Sequence, residues 1–288
     1  MPSERELADQ LVRFSHLCYQ RNLLVALDGN LSARMDDGHI LCTQAGCHKG
    51  FLTRDDLVVI DMQGRKVRGR GQPTSEMAMH LTCYKERPDC MAVVHAHPPL
   101  AIAFTIANQT MANCVLPEVV LTLGSVPTVP YETTGTQDLA DKIAPYIVDH
   151  DAILMDRHGA VCLGTSLLEA FCRLEIVEHT ALITKSARDM GHVKTLPADE
   201  AVALRSMGLK RYGGPPAAVA QADTPTAGLP DVCTTCGGCG NPQPSGIAPA
   251  AGFSVLRVVS QGPSPPTGEQ QALADMVEEE VLKALGRG

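Results

Sequence analysis

The chain has 288 residues, of which 44% are hydrophobic, enough for one sizeable core or a core with a small appendage. Its formal net charge of -8, with no long basic stretch, argues against nucleic acid as a partner. The charged N-terminus MPSERELADQ lacks the apolar segment of a signal peptide, and no apolar run is long enough to span a bilayer, so a soluble cytoplasmic protein with no membrane partner is expected.

The elements can be taken in chain order. Ser3 and Glu6 form a capping-box pattern ahead of Leu7, Leu11 and Phe14 at helical spacing. LSARM and HILCT flank Asp36-Asp37-Gly38, and LVVIDM and RKVRG flank Gln63-Gly64, two hairpin patterns. A second helix is expected from near Thr74 to just before Pro88. Cys90 to His97 reads as an apolar strand closed by Pro98-Pro99, and Ile102 to Ala112 as a helix. VLPEVVLTLG and SVPTVPY read as strands or connections, and Leu139 to Val148 as a helix. AILMD and AVCLG are strand-like and bracket Arg157-His158-Gly159. Ser166 and Glu169 form a second capping-box pattern for a helix running to about Met190 and stopping at Gly191. Frequent hairpins without strict β-α-β alternation favour a layered α/β fold with a mainly antiparallel sheet. Eight scattered cysteines (Cys18, Cys42, Cys47, Cys83, Cys90, Cys114, Cys162 and Cys172) are most simply small buried hydrophobes in a reducing compartment.

His95 and His97 are two residues apart on the apolar strand, so their imidazoles share one face and the prolines leave them at its mouth. Neutral imidazole suits zinc, manganese and similar ions. His158 ends a second apolar strand, and three histidines with open positions describe a catalytic rather than a structural metal site. An H-x-H pair alone is equally an ordinary polar strand end. Pro73-Thr74-Ser75-Glu76 opens a helix whose free N–H groups and hydroxyls suit an anion, although Thr74 and Ser75 taken singly are simple caps. Asn30 and Ser32, after the permissive Gly29, add candidate donors, and Glu76 is suited to acid–base work if it faces the metal.

Five strings in register carry a resemblance. They are Gly29-Asn30-Leu31-Ser32-Ala33-Arg34, Cys42-Thr43-Gln44-Ala45-Gly46, Pro73-Thr74-Ser75-Glu76, Val94-His95-Ala96-His97-Pro98 and Arg157-His158-Gly159. Over about residues 5–190 the chain resembles the class II aldolase/adducin family, and within it the L-fuculose-1-phosphate aldolase branch. The resemblance implies a three-layer α/β/α domain and a homotetramer with active sites between subunits. It implies His95, His97 and His158 as ligands of a divalent metal, Zn2+ first, with Mn2+, Co2+ or Fe2+ also accepted by three histidines. It puts Glu76 in the acid–base position, and Gly29, Asn30, Gly46, Thr74 and Ser75 where substrate phosphate binds. The implied reaction cleaves L-fuculose or L-rhamnulose 1-phosphate to dihydroxyacetone phosphate and lactaldehyde.

Two departures stand out. Ala45 occupies a place where the aldolases carry Ser or Thr, which removes a hydroxyl donor. Val115-Leu116-Pro117-Glu118 stands near the place of a tyrosine that protonates the leaving aldehyde from a neighbouring subunit, which makes Glu118 the candidate replacement. Ribulose-phosphate 4-epimerase, hydroxyaromatic acid decarboxylase and methylthioribulose-phosphate dehydratase share the scaffold. The epimerase usually has Asp where Glu76 stands, and Ala45 gives the decarboxylase weight. An adducin-like structural role disagrees with the intact histidines and glutamate.

The catalytic domain is expected to span residues 1–212. Residues 213–268 form a Gly/Pro-rich extension with Cys233, Cys236 and Cys239 spaced as C-x-x-C-x-x-C and a short strand-like FSVLRVV segment. That cysteine spacing suits zinc or part of an iron–sulfur cluster, or simply an oxidisable linker. Residues 269–288 form an amphipathic helix with Leu273, Met276, Val277, Val281, Ala284 and Leu285 on one side. It resembles the peptides that direct enzymes into bacterial microcompartments, which would make a shell protein the partner and the compartment interior the location. Packing on its own tetramer is the alternative.

Overall fold

The computed structural model describes residues 2–191 and 193–215. The cysteine triplet, the FSVLRVV segment and the terminal amphipathic helix lie outside the described residues. Helix α1, Glu4–Gln20, starts on the expected capping box. Ser3 Oγ accepts from the Glu6 amide at 3.3 Å, and the Glu6 carboxylate accepts from the Ser3 amide at 2.7 Å. Such a cap contributes about 1 kcal/mol.

Eight strands form one sheet among the described residues: β1 (Asn30–Arg34), β2 (Ile40–Thr43), β3 (Leu57–Ile60), β4 (Lys66–Arg68), β5 (Ala92–Ala96), β6 (Thr128–Val129), β7 (Ala152–Met155) and β8 (Gly159–Gly164). Their order is β4-β3-β2-β1-β5-β8-β7-β6. All pairings are antiparallel except β6 with β7, so the sheet is mixed but mainly antiparallel, as expected. One edge is the exposed, basic β4 and the other the two-residue β6, and short or charged edges resist pairing with other chains.

The remaining helices are α2 (Met77–Glu86), α3 (Pro99–Ile106), α4 (Pro117–Thr122), α5 (Gln137–Ile147), α6 (Leu167–Met190) and α7 (Ala198–Tyr212). Strand alternation divides the core between them. Leu31, Ala33, Ala92, Val94 and Ala96 join a cluster with Leu11 and Phe14 of α1, Phe104 of α3 and Phe171 and Leu174 of α6. Val93, Ile153, Val161 and Leu163 join another with Met79, Cys83 and Tyr84 of α2 and Leu139 and Ile143 of α5. Six of the eight cysteines (Cys18, Cys42, Cys47, Cys83, Cys90 and Cys162) are buried, which fits their reading as small hydrophobes, whereas Cys114 is half-buried and Cys172 is exposed on α6. No helix among the described residues is long and apolar enough to cross a membrane.

Several local expectations need correction. The helix read over Ile102 to Ala112 is Pro99–Ile106: Pro99 suits the first turn, where no amide is needed, and Asn108 is left-handed just past its end. VLPEVVLTLG contains the short helix α4, again with proline at its start, rather than a strand. Helix α2 begins at Met77, so Thr74 and Ser75 belong to the preceding loop and Glu76 holds the N-cap position. The second capping box is one-sided. Ser166 Oγ accepts from the Glu169 amide at 3.2 Å, but the Glu169 carboxylate reaches Thr165 instead of returning to Ser166. Helix α7, against α4, was not anticipated.

Candidate active site

The sheet and α2 bring the centre together. Asn30 on β1 lies opposite His95 on β5, and His95 lies opposite Val161 on β8. Alternation points Asn30, Ser32 and His95 away from the α1–α6 core and toward α2. His97 follows β5 directly, and its chain is held there by its amide donating to Leu23 O at 2.8 Å. Helix α3, which starts two residues later, is anchored by Glu178 of α6. Its two oxygens each accept an α3 amide, from Leu100 and Ala101, at 3.0 Å. His158 sits on the tight β7–β8 turn after Arg157, a non-glycine residue at φ 57°. Gly159 admits no side chain, since a Cβ there would meet the Ala96 carbonyl and the His95 and His97 rings.

One ring nitrogen from each of His95, His97 and His158 lies within 4.8 Å of the others. Glu76 completes the group, with Oε2 3.1 Å from His95 Nε2 and Oε1 3.0 Å from His158 Nε2. His95 Nδ1 faces the Ala160 carbonyl at 2.9 Å, so this nitrogen carries the proton and Nε2 keeps its lone pair. That Nε2 in turn faces His97 Nε2 at 3.2 Å. Glu76 Oε1 is buried beside His158 Nε2. Imidazole lone pairs and a carboxylate thus converge on one place, where a cation or a shared proton relieves their repulsion. This donor set fits a divalent metal.

The electrostatics agree. Burial opposes charge on Glu76, but the neighbouring His95 and His158 overcome it and hold the carboxyl far below its usual range. Burial likewise works against a charged His95, and Glu76 reverses it, raising that imidazole. Burial together with His95 and His158 lowers His97 to about 3, the neutral form a metal ligand needs.

A cleft of about 440 Å3 opens over this group. Its lining includes His97, His158 and Glu76 together with Gly29, Asn30, Gly46, Thr74 and Ser75, all singled out in the sequence. The loops that contribute them are tied by backbone pairing, with the Ala45 amide donating to Gln72 O at 2.9 Å and Gln44 bridged to Pro73. Gly29 is left-handed at φ +66° and packs so closely that a Cβ would lie 2.8 Å from the His95 carbonyl. Asn30 differs from expectation: its amide Nδ2 donates to Glu76 Oε2 at 2.8 Å, so it serves the carboxylate directly. Glu118 lies exposed on α4 and does not line the cleft.

Three lining or supporting residues escaped the sequence. Asp28 stands 3.6 Å from His97 Nδ1. His80 is fully buried behind Asn30. Lys49 is only 2% exposed, and its ammonium donates to Leu27 O and Cys47 O, each at 2.9 Å, with the Cys47 thiol also beside it. Burial lowers its pKa, and the residue lines the cleft.

A mixed sheet with a histidine-lined metal-type cleft defines a class II aldolase-like fold. The model of the Class II Aldolase and Adducin N-terminal domain matches residues 9–184, and the chain belongs to that family. It is a lyase. L-fuculose phosphate aldolase of Methanococcus vannielii is 33% identical over 172 residues, 60% of this chain and 92% of the relative. A 3-oxo-tetronate 4-phosphate decarboxylase of Escherichia coli is 33% identical over 207 residues, 70% of this chain and 97% of the relative. Among solved structures, YgbL from Escherichia coli matches at TM-score 0.66 and 32% identity, covering 70% of this chain and 99% of its own. An L-fuculose 1-phosphate aldolase matches at TM-score 0.66 and 28% identity, covering 72% and 97%.

Proposed function

We propose that the protein is a divalent-metal aldolase that cleaves a ketose 1-phosphate, L-fuculose or L-rhamnulose 1-phosphate, to dihydroxyacetone phosphate and lactaldehyde. The observation that carries this reading is the convergence of His95, His97, His158 and Glu76 at the floor of one cleft whose rim has the character of an anion site. The three histidines hold the metal, with zinc the first choice for such a set. When bound, the metal supplies Lewis-acid stabilisation of the charge that develops beside the substrate carbonyl. Glu76 moves the proton at the carbon left behind when the C–C bond breaks. Gly29, Gly46, Thr74 and Ser75 receive the phosphate, and Asn30 orients Glu76 as well as bordering that pocket. Lys49 supports an anionic substrate, because its cation lines the cleft together with Ala45, where the hydroxyl is missing.

The two-cluster core supports the three-layer α/β/α arrangement. A homotetramer accommodates Glu118 as the acid for the leaving aldehyde: it is exposed and does not line the cleft of its own chain, so it would serve a neighbour's. Residues 1–212 form the catalytic domain, 213–268 the extension and 269–288 a helix that docks on a microcompartment shell protein. The apolar stripe expected from the sequence of that last segment supports the docking, and removing residues 262–288 should abolish shell co-purification while leaving activity intact. The catalytic domain itself then works in the cytoplasm or inside the compartment.

A decarboxylase reading has support of its own in the 3-oxo-tetronate 4-phosphate decarboxylase likeness, which extends over more of the chain. That substrate class replaces the hydroxyaromatic acid considered from sequence. Both reactions leave a carbanion beside a carbonyl and return a proton to it, so one centre suits either. The deciding experiment assays metal-loaded and chelated protein for dihydroxyacetone phosphate release from both sugars, and for carbon dioxide release from 3-oxo-tetronate 4-phosphate. Metal-dependent sugar cleavage that falls about 10²- to 10⁴-fold in Glu76→Gln supports the aldolase. Carbon dioxide release without sugar cleavage replaces it with the decarboxylase.

A further inference from the structure

Behind Glu76 runs a line of buried polar side chains that begins at the cleft with Asn30 and leads away from it. Glu76 at the N-cap of α2 and His80 and Tyr84 within it recur every four residues along one stripe. On β1, Asn30, Ser32 and Arg34 recur every two and share one face. Four residues of helix rise about 6 Å and two of strand about 6.6 Å, so the two rows stay in step. Asn30 Nδ2 meets Glu76 Oε2 at 2.8 Å, and Asn30 Oδ1 meets His80 Nε2 at 2.5 Å. Ser32 Oγ meets both His80 Nδ1 and Tyr84 Oη at 2.7 Å. Arg34 closes the row, donating to Tyr84 O at 2.7 Å.

Donor counting leaves one direction for this chain. A carboxylate only accepts, so the Asn30 amide must present its NH2 to Glu76 and its oxygen to His80. His80 must then carry its proton on Nε2, and Nδ1 accepts from the Ser32 hydroxyl. Ser32 in turn accepts from Tyr84 O–H. Each of Asn30, His80, Ser32 and Tyr84 is nearly or wholly buried, so water does not offer an alternative partner. Were His80 unable to donate, Asn30 Oδ1 would lose its buried partner, and the amide would no longer be held in register against the carboxylate.

We propose that His80 is a positioning residue for Glu76. Through Asn30 it anchors carboxylate oxygen Oε2 and leaves Oε1 as the oxygen that exchanges the substrate proton, with Ser32 and Tyr84 fixing the His80 tautomer. This rests on Glu76 being the proton-transfer group. Tyr84 and Ser32 act at one and two further removes.

The test uses the full-length, zinc-loaded protein and two readouts. The first is the ring-nitrogen NMR spectrum of His80 together with the side-chain amide resonances of Asn30. A neutral Nε2–H ring from pH 5 to 8, and Asn30 amide protons that shift in His80→Leu, are expected. An Nδ1–H tautomer, or Asn30 resonances unmoved by His80→Leu, overturns the proposal whatever the substrate proves to be. The second readout is steady-state kinetics. His80→Leu should lower kcat at least tenfold with KM changed less than about twofold, and His80→Gln, which keeps a donor toward Asn30, should recover most of kcat. Equal kcat in wild type and a folded His80→Leu, or equal loss in both variants, overturns it. If wild type cleaves none of the sugars or keto acids offered, the proposed function falls, and the NMR readout alone decides the positioning.

Discussion

The carboxylate of Glu76 is shared between His95 and His158, one oxygen 3.1 Å from His95 Nε2 and the other 3.0 Å from His158 Nε2. This relationship makes the acid–base group and the candidate metal ligands a single electrostatic unit. Without a cation, the unit must hold a proton in its place, which is why Glu76 keeps His95 easier to protonate despite its burial.

Metal binding should therefore stabilise the fold as well as enable chemistry. Adding zinc to chelator-treated protein should raise the melting temperature, by an amount worth about 4 kcal/mol at a thousandfold excess over Kd. His97→Ala should bind less than a tenth of the wild-type metal by mass spectrometry and show no such rise. A variant that binds zinc fully would remove His97 from the ligand set.

Lys49 should govern affinity for the anionic end of the substrate. Lys49→Met keeps the stem and removes the charge, so KM should rise about tenfold, the equivalent of one charge-assisted hydrogen bond. Inorganic phosphate should also inhibit it more weakly than wild type. Ala45→Ser should act in the opposite direction by adding a hydroxyl to the same loop. Phosphate inhibition unchanged in Lys49→Met would leave the lysine as a tie between two loops.

Gly29 should resist any side chain. Gly29→Ala places a Cβ 2.8 Å from the His95 carbonyl and against Leu24 at φ +66°. The variant should lose about 1–3 kcal/mol in urea denaturation. The His95 carbonyl belongs to a ligand-bearing strand, so metal retention should weaken in parallel.

Acid should unfold the protein partly through His80. Burial and the nearby His95 lower its pKa to about 3, against about 6.5 in the unfolded chain. Between those values the unfolded state binds a proton that the folded state does not. Stability is thus full above about pH 6.5 and falls as pH drops toward 3, by about 1.4 kcal/mol per pH unit from this residue. In His80→Gln the pH dependence of the urea midpoint should be shallower by one proton. An unchanged slope would mean that His80 is not held neutral.

Much of the centre is legible along the chain, because its signals are local. His95 and His97 share a face by strand alternation alone, Pro98 and Pro99 mark where the strand stops, Gly29 and Gly159 mark close backbone approaches, and Gly46 marks a left-handed turn. Helix α1 follows from Ser3 and Glu6, and both hairpins follow from their turns. Where propensity and proline pulled apart, local reading lost: the apolar VLPEVVLTLG looked extended, yet Pro117 starts a helix that packs on α7.

What amino-acid order determined by itself was residue type and period: which histidines share a face, where turns fall, and that strands pair mostly antiparallel. Only the tertiary structure decided who meets whom across the chain. Asn30 faces Glu76 rather than free solvent because β1 lies under α2, forty-six residues on. His80 became part of the site because a four-residue helical step and a two-residue strand step are nearly equal in length. Lys49 became a buried cation because two distant loops close over it. Such contacts depend on the packing of separate elements, which no local spacing encodes.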